Sequence, residues 1–239
     1  MAQIVVKDIV VEFPIYGSQS RSLKKAFIRA ATGGILARDA SDRVVVRAIN
    51  NVSFTFGDGD RVGIVGHNGS GKSTLLRVIA GAYEPTRGTV SVRGKVASMI
   101  SIAVGMEGEA TGFENIYLRG TIMGLKPREI APLVDDIAEF SELGDYLNMP
   151  LRTYSSGMYM RLAFAISTSV PVDIIVMDEW LSVGDASFHE KAQQRIQGII
   201  DQSKILFLAS HDENLIRKNC NVMIRLNHGE MTGLERLTS

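Results

Sequence analysis

A glycine-rich segment ending in lysine and serine is the part of this chain best suited to chemistry. It reads Gly66-His-Asn-Gly-Ser-Gly-Lys-Ser73 and fits the pattern G-x-x-x-x-G-K-[S/T]. Its glycines let successive backbone N–H groups turn inward around a phosphate at a helix start. Lys72 adds positive charge at the β- and γ-phosphates, and the Ser73 hydroxyl is suited to Mg²⁺. The segment predicts a nucleoside triphosphate site. Its expected contacts are Gly66, His67, Asn68, Gly69, Ser70, Gly71, Lys72, Ser73 and Thr74.

Two adjacent carboxylates follow an apolar run about a hundred residues later. The run Ile174-Ile-Val-Met reads as a buried strand and leads into Asp178 and Glu179. A carboxylate at that strand end can hold Mg²⁺ opposite Ser73, and the next one can polarise a water for attack on the γ-phosphate. Alone, such a run is also typical of a strand that meets a polar turn. Together with the phosphate-binding segment, it predicts hydrolysis of the triphosphate.

A third motif, Tyr154-Ser-Ser-Gly-Met158, stands directly before an apolar helical pattern. Ser155 and Gly157 would lie where that helix begins, so hydroxyl and backbone donors would point outward at its positive end. A serine at this position is equally typical of a plain helix cap.

The elements that must position these motifs alternate along the chain. Apolar periodicity favours strands at 4–13, 48–56, 61–65, 173–177, 205–209 and 222–226, the last followed by a turn at 228–229. It favours helices at 73–80, 113–123, 127–143, 158–169, 188–201 and 213–219. Strand, glycine loop and helix at 61–80 are the context that a phosphate loop requires.

Composition narrows the class of protein. With 239 residues, 45% of them hydrophobic, the chain suits one large α/β domain or a core with a smaller helical insert. Net charge is zero, which gives no argument for nucleic acid, and a single cysteine excludes an intrachain disulfide. Lys7 and Asp8 interrupt the stretch that a signal peptide would need, and no apolar run approaches about 18 residues. We therefore expect a cytosolic chain that reaches a membrane only through a partner.

Together the three motifs resemble the nucleotide-binding subunits of ABC transporters, and the resemblance covers nearly the whole chain. It implies an ATPase that uses ATP and Mg²⁺. The implied α/β fold has a phosphate-loop core with a mostly parallel sheet, an N-terminal antiparallel β part and an inserted helical subdomain. On this resemblance, residues 1–239 form a single ATPase domain, with 1–98 and 171–239 as core lobe and 99–170 as helical subdomain.

The resemblance also implies pairing. Ser155, Ser156 and Gly157 would be the signature loop, which in the family contacts the γ-phosphate bound to the opposite subunit. Asp185, in a segment similar to the family's inter-site loop, would lie between the two sites. A homodimer would then sandwich two ATP molecules head to tail.

Further roles come from the same resemblance. His211 is similar to the switch histidine that bonds the γ-phosphate and the attacking water, so Glu179, His211 and Lys72 are the expected catalytic residues. Phe13 is the first candidate for the aromatic that stacks on adenine, and Tyr16 the second, although core packing explains either ring as well.

Departures from the family pattern point to a subfamily. Ser156-Gly157-Met158 stands where Gly-Gly-Gln is usual, and Trp180 where proline is common. No glutamine occurs between 94 and 120, where the family's lid loop should lie, and spacing puts Ser101 or Ile102 at that position.

The segments 111–117, 154–165 and 178–186 are similar to those of ATPase subunits of bacterial polysaccharide exporters. This implies a membrane permease dimer as partner, a lipid-linked polysaccharide such as O-antigen as cargo, no nucleic acid, and peripheral attachment at the cytoplasmic face of the bacterial inner membrane. The chain stops soon after its last hairpin, so we expect no glycan-recognition domain of its own. A lipid, drug or peptide cargo, or a soluble ATPase without a transport role, remain alternatives.

A basic segment at 14–44 resembles an insertion in that subfamily. Leu23, Phe27 and Ile28 fall on one helical face, with Lys24, Lys25 and Arg29 around them. The pattern is typical of a surface helix. It also fits a helix that rests on a partner or on lipid headgroups.

Overall fold

The computed structural model describes residues 1–15, 35–38, 44–100, 102–179 and 186–237. The strands are β1 (Gln3–Pro14), β2 (Ile35–Arg38), β3 (Val44–Gly57), β4 (Arg61–Val65), β5 (Arg87–Arg93), β6 (Val96–Ser98), β7 (Ile174–Asp178), β8 (Ile205–Ser210), β9 (Val222–Asn227) and β10 (Glu230–Arg236). The helices are α1 (Lys72–Ile79), α2 (Gly112–Ile122), α3 (Pro127–Ile130), α4 (Val134–Ser141), α5 (Ser156–Ser169), α6 (Ala186–Gln202) and α7 (Glu213–Asn219). Short 3₁₀ turns cover Ala131–Leu133, Gly144–Asn148 and Leu151–Thr153.

Two sheets form the first of two compact units, which is drawn from residues 1–100, 173–180 and 203–239. One sheet is antiparallel in the order β2-β3-β1-β5. The other, in the order β10-β9-β4-β8-β7-β6, is parallel except for its β9–β10 hairpin. Both sheets and α1 contribute to one apolar core, in which Phe54 of β3 lies 6.0 Å from Phe207 of β8 between ring centroids. Burial of this shared core is what holds α1 and the phosphate loop in place.

Three parallel strands end at the same edge of the second sheet. Val65 at the end of β4 pairs with Ser210 of β8, and Asp178 at the end of β7 pairs with Ala209. Because parallel strands bring their carboxyl ends together, the residues that follow β4, β7 and β8 meet at this edge. Side chains in β7 and β8 are almost entirely buried, as expected of central parallel strands.

The second unit is helical and comprises residues 101–172 and 181–202. The sequence analysis expects 171–239 in the core lobe, whereas α6 groups with the helical unit; the predicted boundaries of lobe and subdomain remain a prediction. Phe188 of α6 packs edge-on against Phe140 of α4 and Phe164 of α5, with centroids 5.4 and 6.1 Å apart. Arg195 of α6 also pairs with Asp136 of α4. These contacts tie α6 to the helical unit.

The predicted helix at 127–143 is broken in the structure. α3 ends at Ile130, a 3₁₀ turn covers Ala131–Leu133, and α4 begins at Val134. Pro132 lacks a backbone N–H and its ring obstructs the preceding turn, which explains the interruption. The sequence pattern also fails to predict β5 and β6. Most of β5 is exposed, and β6 has only three residues.

Candidate functional site

The loop between β4 and α1 passes so close to other backbone that only glycine fits at two positions. A Cβ on Gly66 would lie 2.3 Å from Leu226 O, and one on Gly71 would lie 2.6 Å from Ala48 O. Gly69 and Gly71 also have positive φ angles, 78° and 106°, a region that favours glycine. The loop is therefore a narrow cradle in which main-chain N–H groups can converge.

The start of α1 is suited to an anion. Gly71 occupies the N-cap position, and no side chain of the described residues caps the helix. The first N–H groups of a helix lack intrahelical acceptors and carry the positive end of its dipole. Lys72 adds a cation that is 8% exposed, with Nζ donating to Gly66 O at 2.7 Å and to His67 O at 3.1 Å.

A cleft of about 450 Å³ opens at this cradle within the first unit. Of the predicted residues it brings together the loop, the helix start and both carboxylates. The described residues that line it are Ala48, Asn68, Gly69, Gly71, Lys72, Ser73, Thr74, Asp178 and Glu179. Ala48 was not predicted, because nothing in the alternation of β3 marks it. Gly66, His67, Ser70 and Phe13 are absent from that lining.

The donor set of the cleft fits a nucleotide phosphate with Mg²⁺. A glycine cradle, a helix start and Lys72 offer donors and positive charge, as a phosphate requires. The Ser73 hydroxyl and the Asp178 carboxylate offer oxygen ligands, which Mg²⁺ prefers. Among the described residues there is no cluster of three or more His, Cys, Asp or Glu side chains.

Glu179 and His211 meet at the edge of the sheet. His211 Nδ1 lies 2.8 Å from Glu179 Oε1, and the two side chains are 71% and 57% exposed. Glu179 has a φ of 66°, rare for a residue other than glycine, and its N–H donates to Ala209 O at 2.8 Å. A left-handed residue costs on the order of 1 kcal/mol, and such strain occurs preferentially at functional sites. The backbone bond to β8 holds Glu179 in this conformation.

The predicted signature loop lies in the helical unit, where Ser155 is the N-cap of α5. Ser155 Oγ accepts a hydrogen bond from Met158 N at 3.2 Å, which is the plain capping geometry. Ser155 and Ser156 are exposed. A Cβ on Gly157 would meet nothing closer than Ser155 Oγ at 3.9 Å. The described chain therefore gives no steric reason for a glycine here.

Of the two residues expected at the position of the missing glutamine, only Ile102 is described. Ile102 is buried and apolar, so it offers no ligand to water. Tyr159 Oη donates to Ala103 O at 3.2 Å, and Arg119 Nη1 donates to Val104 O. Burial lowers the pKa of the Arg119 guanidinium from its usual value. Ser101, the other residue expected at this position, lies outside the described residues. The contacts of Arg119 and Tyr159 with this loop were not predicted from the sequence.

Phe13, the predicted adenine-stacking ring, lies near the end of β1. Its ring is 37% exposed and meets Tyr83 edge-on, with centroids 5.5 Å apart. Tyr83 was not singled out from the sequence. Tyr16, Asp185 and the basic residues of 14–44 that were predicted to form a surface helix lie outside the described residues. No helix in the described ranges is both long and apolar enough to cross a bilayer.

A family model described as ABC transporter matches residues 49–182, more than half of the chain. The chain belongs to the ABC transporter family. This assignment confirms the predicted enzyme class, an ATPase coupled to transport, and the predicted nucleotide binding. The match contains the phosphate loop, the signature motif and both carboxylates.

Relatives from the same family are similar over nearly all of this chain. The O-antigen export system ATP-binding protein RfbE of Yersinia enterocolitica is 43% identical, with 96% of each chain covered. The O-antigen export system ATP-binding protein RfbB of Myxococcus xanthus is 38% identical, covering 96% of this chain and 52% of that protein. The teichoic acids export ATP-binding protein TagH of Listeria innocua is 38% identical, covering 96% of this chain and 65% of that protein. This chain thus spans about half to two thirds of the latter two.

Solved ABC cassettes share the fold. A dimeric ATP-binding cassette in a post-hydrolysis state with ADP and phosphate superposes with a TM-score of 0.68 at 20% identity, covering 99% of both chains. The ATP-binding subunit of an ABC transporter gives the same score and identity, covering 98% of this chain and 90% of that one. These matches confirm the predicted α/β fold class of the family. The division into core lobe and helical subdomain remains a prediction, apart from the placement of α6.

Proposed function

We propose that the cleft between the β4–α1 loop and the end of β7 binds and hydrolyses ATP with Mg²⁺. One observation carries the proposal: Lys72, Ser73, Asp178 and Glu179 line a single cleft although about a hundred residues separate the two pairs. Lys72 would neutralise the β- and γ-phosphates, and the N–H groups of the glycine loop would hold the β-phosphate. Ser73 and Asp178 would hold Mg²⁺, which offsets the charge that develops during phosphoryl transfer.

Glu179 and His211 would act together on the attacking water. Glu179 Oε1 accepts from His211 Nδ1, which leaves the second carboxylate oxygen and the other ring nitrogen for water and γ-phosphate. The exposure of both side chains supports this role, because a water must reach them. The left-handed backbone of Glu179 supports it as well, since strained residues concentrate at reacting centres.

Two copies of the chain would complete each site. The signature loop has exposed donors at the start of α5, and Gly157 has room that its own chain does not use. A close approach by another molecule is a common reason for glycine at such a position. The solved cassette described above is itself dimeric. In this proposal Ser155, Ser156 and Gly157 contact the γ-phosphate bound to the other copy, and Asp185 lies between the two sites.

The cargo would be a lipid-linked polysaccharide. The three relatives described above are named for export of O-antigen and of teichoic acids, two kinds of cell-surface polymer. Through a membrane permease dimer, closure and reopening of the ATPase pair would move the polymer across the inner membrane from its cytoplasmic face. A lipid, drug or peptide cargo is the competing assignment.

The test replaces Glu179 by Gln in the bacterium that carries this gene. Polymer attached to its lipid should accumulate inside the cell and disappear from the surface, because ATP is bound but not hydrolysed. Glu190→Gln on α6 is the matched control, since it makes the same change at an exposed glutamate and should leave export normal. If surface polymer is unchanged while the purified E179Q chain binds ATP without turnover, the ATPase assignment stands and the polysaccharide assignment is wrong.

A further inference from the structure

The turn between β9 and β10 lies directly against the phosphate loop, although about 160 residues separate them in sequence. Gly229 N donates to Ser70 O at 2.9 Å. Just before the turn, Leu226 O lies so close to Gly66 that a Cβ there would be only 2.3 Å away from it. The turn thus touches the loop at two points by backbone alone.

A side-chain contact joins the same two segments. His67 Nδ1 lies 2.8 Å from Asn68 O, and His67 Nε2 lies 3.1 Å from Asn227 Oδ1. The imidazole also packs on His228, with ring centroids 4.7 Å apart and planes tilted by 59°. His67 is absent from the lining of the cleft. Its side chain therefore links the loop to the hairpin turn.

The β9–β10 turn is also hydrogen-bonded to β3. Gly229 O accepts from Asn50 N at 2.8 Å. Gly229 has a φ of 84°, and a Cβ there would lie 2.7 Å from Ala48 O. The same carbonyl limits Gly71 at the other end of the phosphate loop, and Ala48 lines the cleft. The hairpin turn, β3 and both ends of the phosphate loop form one close-packed backbone cluster.

We propose that Asn227 is a positioning residue for nucleotide binding, which acts through His67 to hold the phosphate loop in its binding conformation. The proposal rests on the ATP site proposed above. A loop with three glycines has much conformational freedom, and every interaction that orders it beforehand lowers the entropic cost of binding a triphosphate. Asn227 does not line the cleft, so it should affect binding of the phosphates rather than the chemical step.

The test uses the purified full chain and MgATP. Asn227→Leu keeps the size of the side chain but removes the oxygen that faces His67. It should raise KM for ATP about 3- to 10-fold, the value of one hydrogen bond, with kcat changed less than about twofold. Asn227→Asp keeps an accepting oxygen. With all variants compared at about 1 M salt, where the Debye length falls to about 3 Å and the added charge is largely screened, it should restore KM to within about twofold of the wild-type value.

A double-mutant cycle identifies the route. His67→Leu should raise KM at least as much as N227L does, because it also removes the contacts of His67 with Asn68 and His228. Adding N227L to H67L should raise KM no further, because the contact between the two side chains is already broken. Additive effects, an unchanged KM in N227L, or equal damage from N227D and N227L would overturn the proposal.

Two controls separate this inference from the ATP site itself. His189→Gln changes a half-buried histidine on α6, in the other unit, and should leave KM unchanged. Lys72→Ala should weaken ATP binding by about 100-fold or more. If it does so while N227L leaves KM unchanged, only the role of Asn227 is wrong. If K72A binds ATP as tightly as the wild type does, the proposed site is wrong.

Discussion

The phosphate cleft and the signature loop carry motifs of similar clarity, but the structure completes only the first of them. The cleft collects residues from β3, the β4–α1 loop and the end of β7 within one unit. The signature loop is a single helix start with exposed serines and an unfilled space at Gly157. A motif with its partners in the same chain becomes a site on folding, whereas one without them needs a second molecule.

The largest expected effect is on ATP binding at the phosphate cleft, whose residues all lie in one chain. Lys72→Ala should weaken ATP binding by about 100-fold or more, because it removes the buried cation expected to bond the charged phosphates. Isothermal titration of the single chain with ATP measures it. Lys218→Ala, which removes an exposed lysine from α7, is the matched control and should bind as the wild type does. Equal binding by both variants would show that the cleft is not the nucleotide site.

The next largest effect is expected at the signature loop, which in our proposal acts on a second copy of the chain. Gly157→Glu should leave the fold and ATP binding by one chain unchanged, because a Cβ at this position meets no neighbour within 3.9 Å. It should lower the steady-state ATPase rate about 100-fold, since it puts bulk and negative charge where the other copy's γ-phosphate is expected. Sedimentation with ATP should show loss of the dimer. Normal turnover and a normal dimer would mean that the signature loop faces no partner.

The smallest effect concerns how the helical unit holds α6. The hydrogen bond from Arg195, with its charge, holds the pKa of Asp136 below its ordinary value of 3.8. A lowered folded-state pKa stabilises the protein above the unfolded-state pKa, and this contribution is lost as pH falls through the folded value. Asp136→Asn should therefore cost less than about 1 kcal/mol at pH 7, because the carboxylate is half exposed.

Urea unfolding at two pH values measures that difference. The gap in unfolding free energy between the wild type and D136N should shrink as the pH is lowered from 7 to about 3. A gap that persists at the lower pH would show that Asp136 acts through packing and not through its charge.

Sequence patterns predicted the cleft well because its chemistry follows local rules. The strand, glycine loop and helix at 61–79 are contiguous, and the buried strand before Asp178 is apolar throughout, so their order along the chain already implies the site. The ends of parallel strands then bring Glu179 and His211 together.

Contacts between distant segments were beyond sequence reasoning. Nothing near Asn227 or Gly229 signals that they touch His67 and Ser70, because those contacts depend on how two sheets and a loop pack. Ala48 and Tyr83 were missed for the same reason. The contacts of α6 with the helical unit were not predicted either, because its aromatic and ionic partners, Phe140 and Asp136, lie about 50 residues earlier in sequence.

In the proposed mechanism, the backbone conformation of Glu179 links activity to thermal stability. At a φ of 66°, glycine would have no steric penalty from a Cβ atom, and asparagine would have a smaller one than glutamate. The chain therefore gives up some folding free energy at this one position to keep a carboxylate there. In a lineage that no longer needed ATP turnover, replacement of Glu179 by glycine would therefore give a protein that is inactive but more stable to heat.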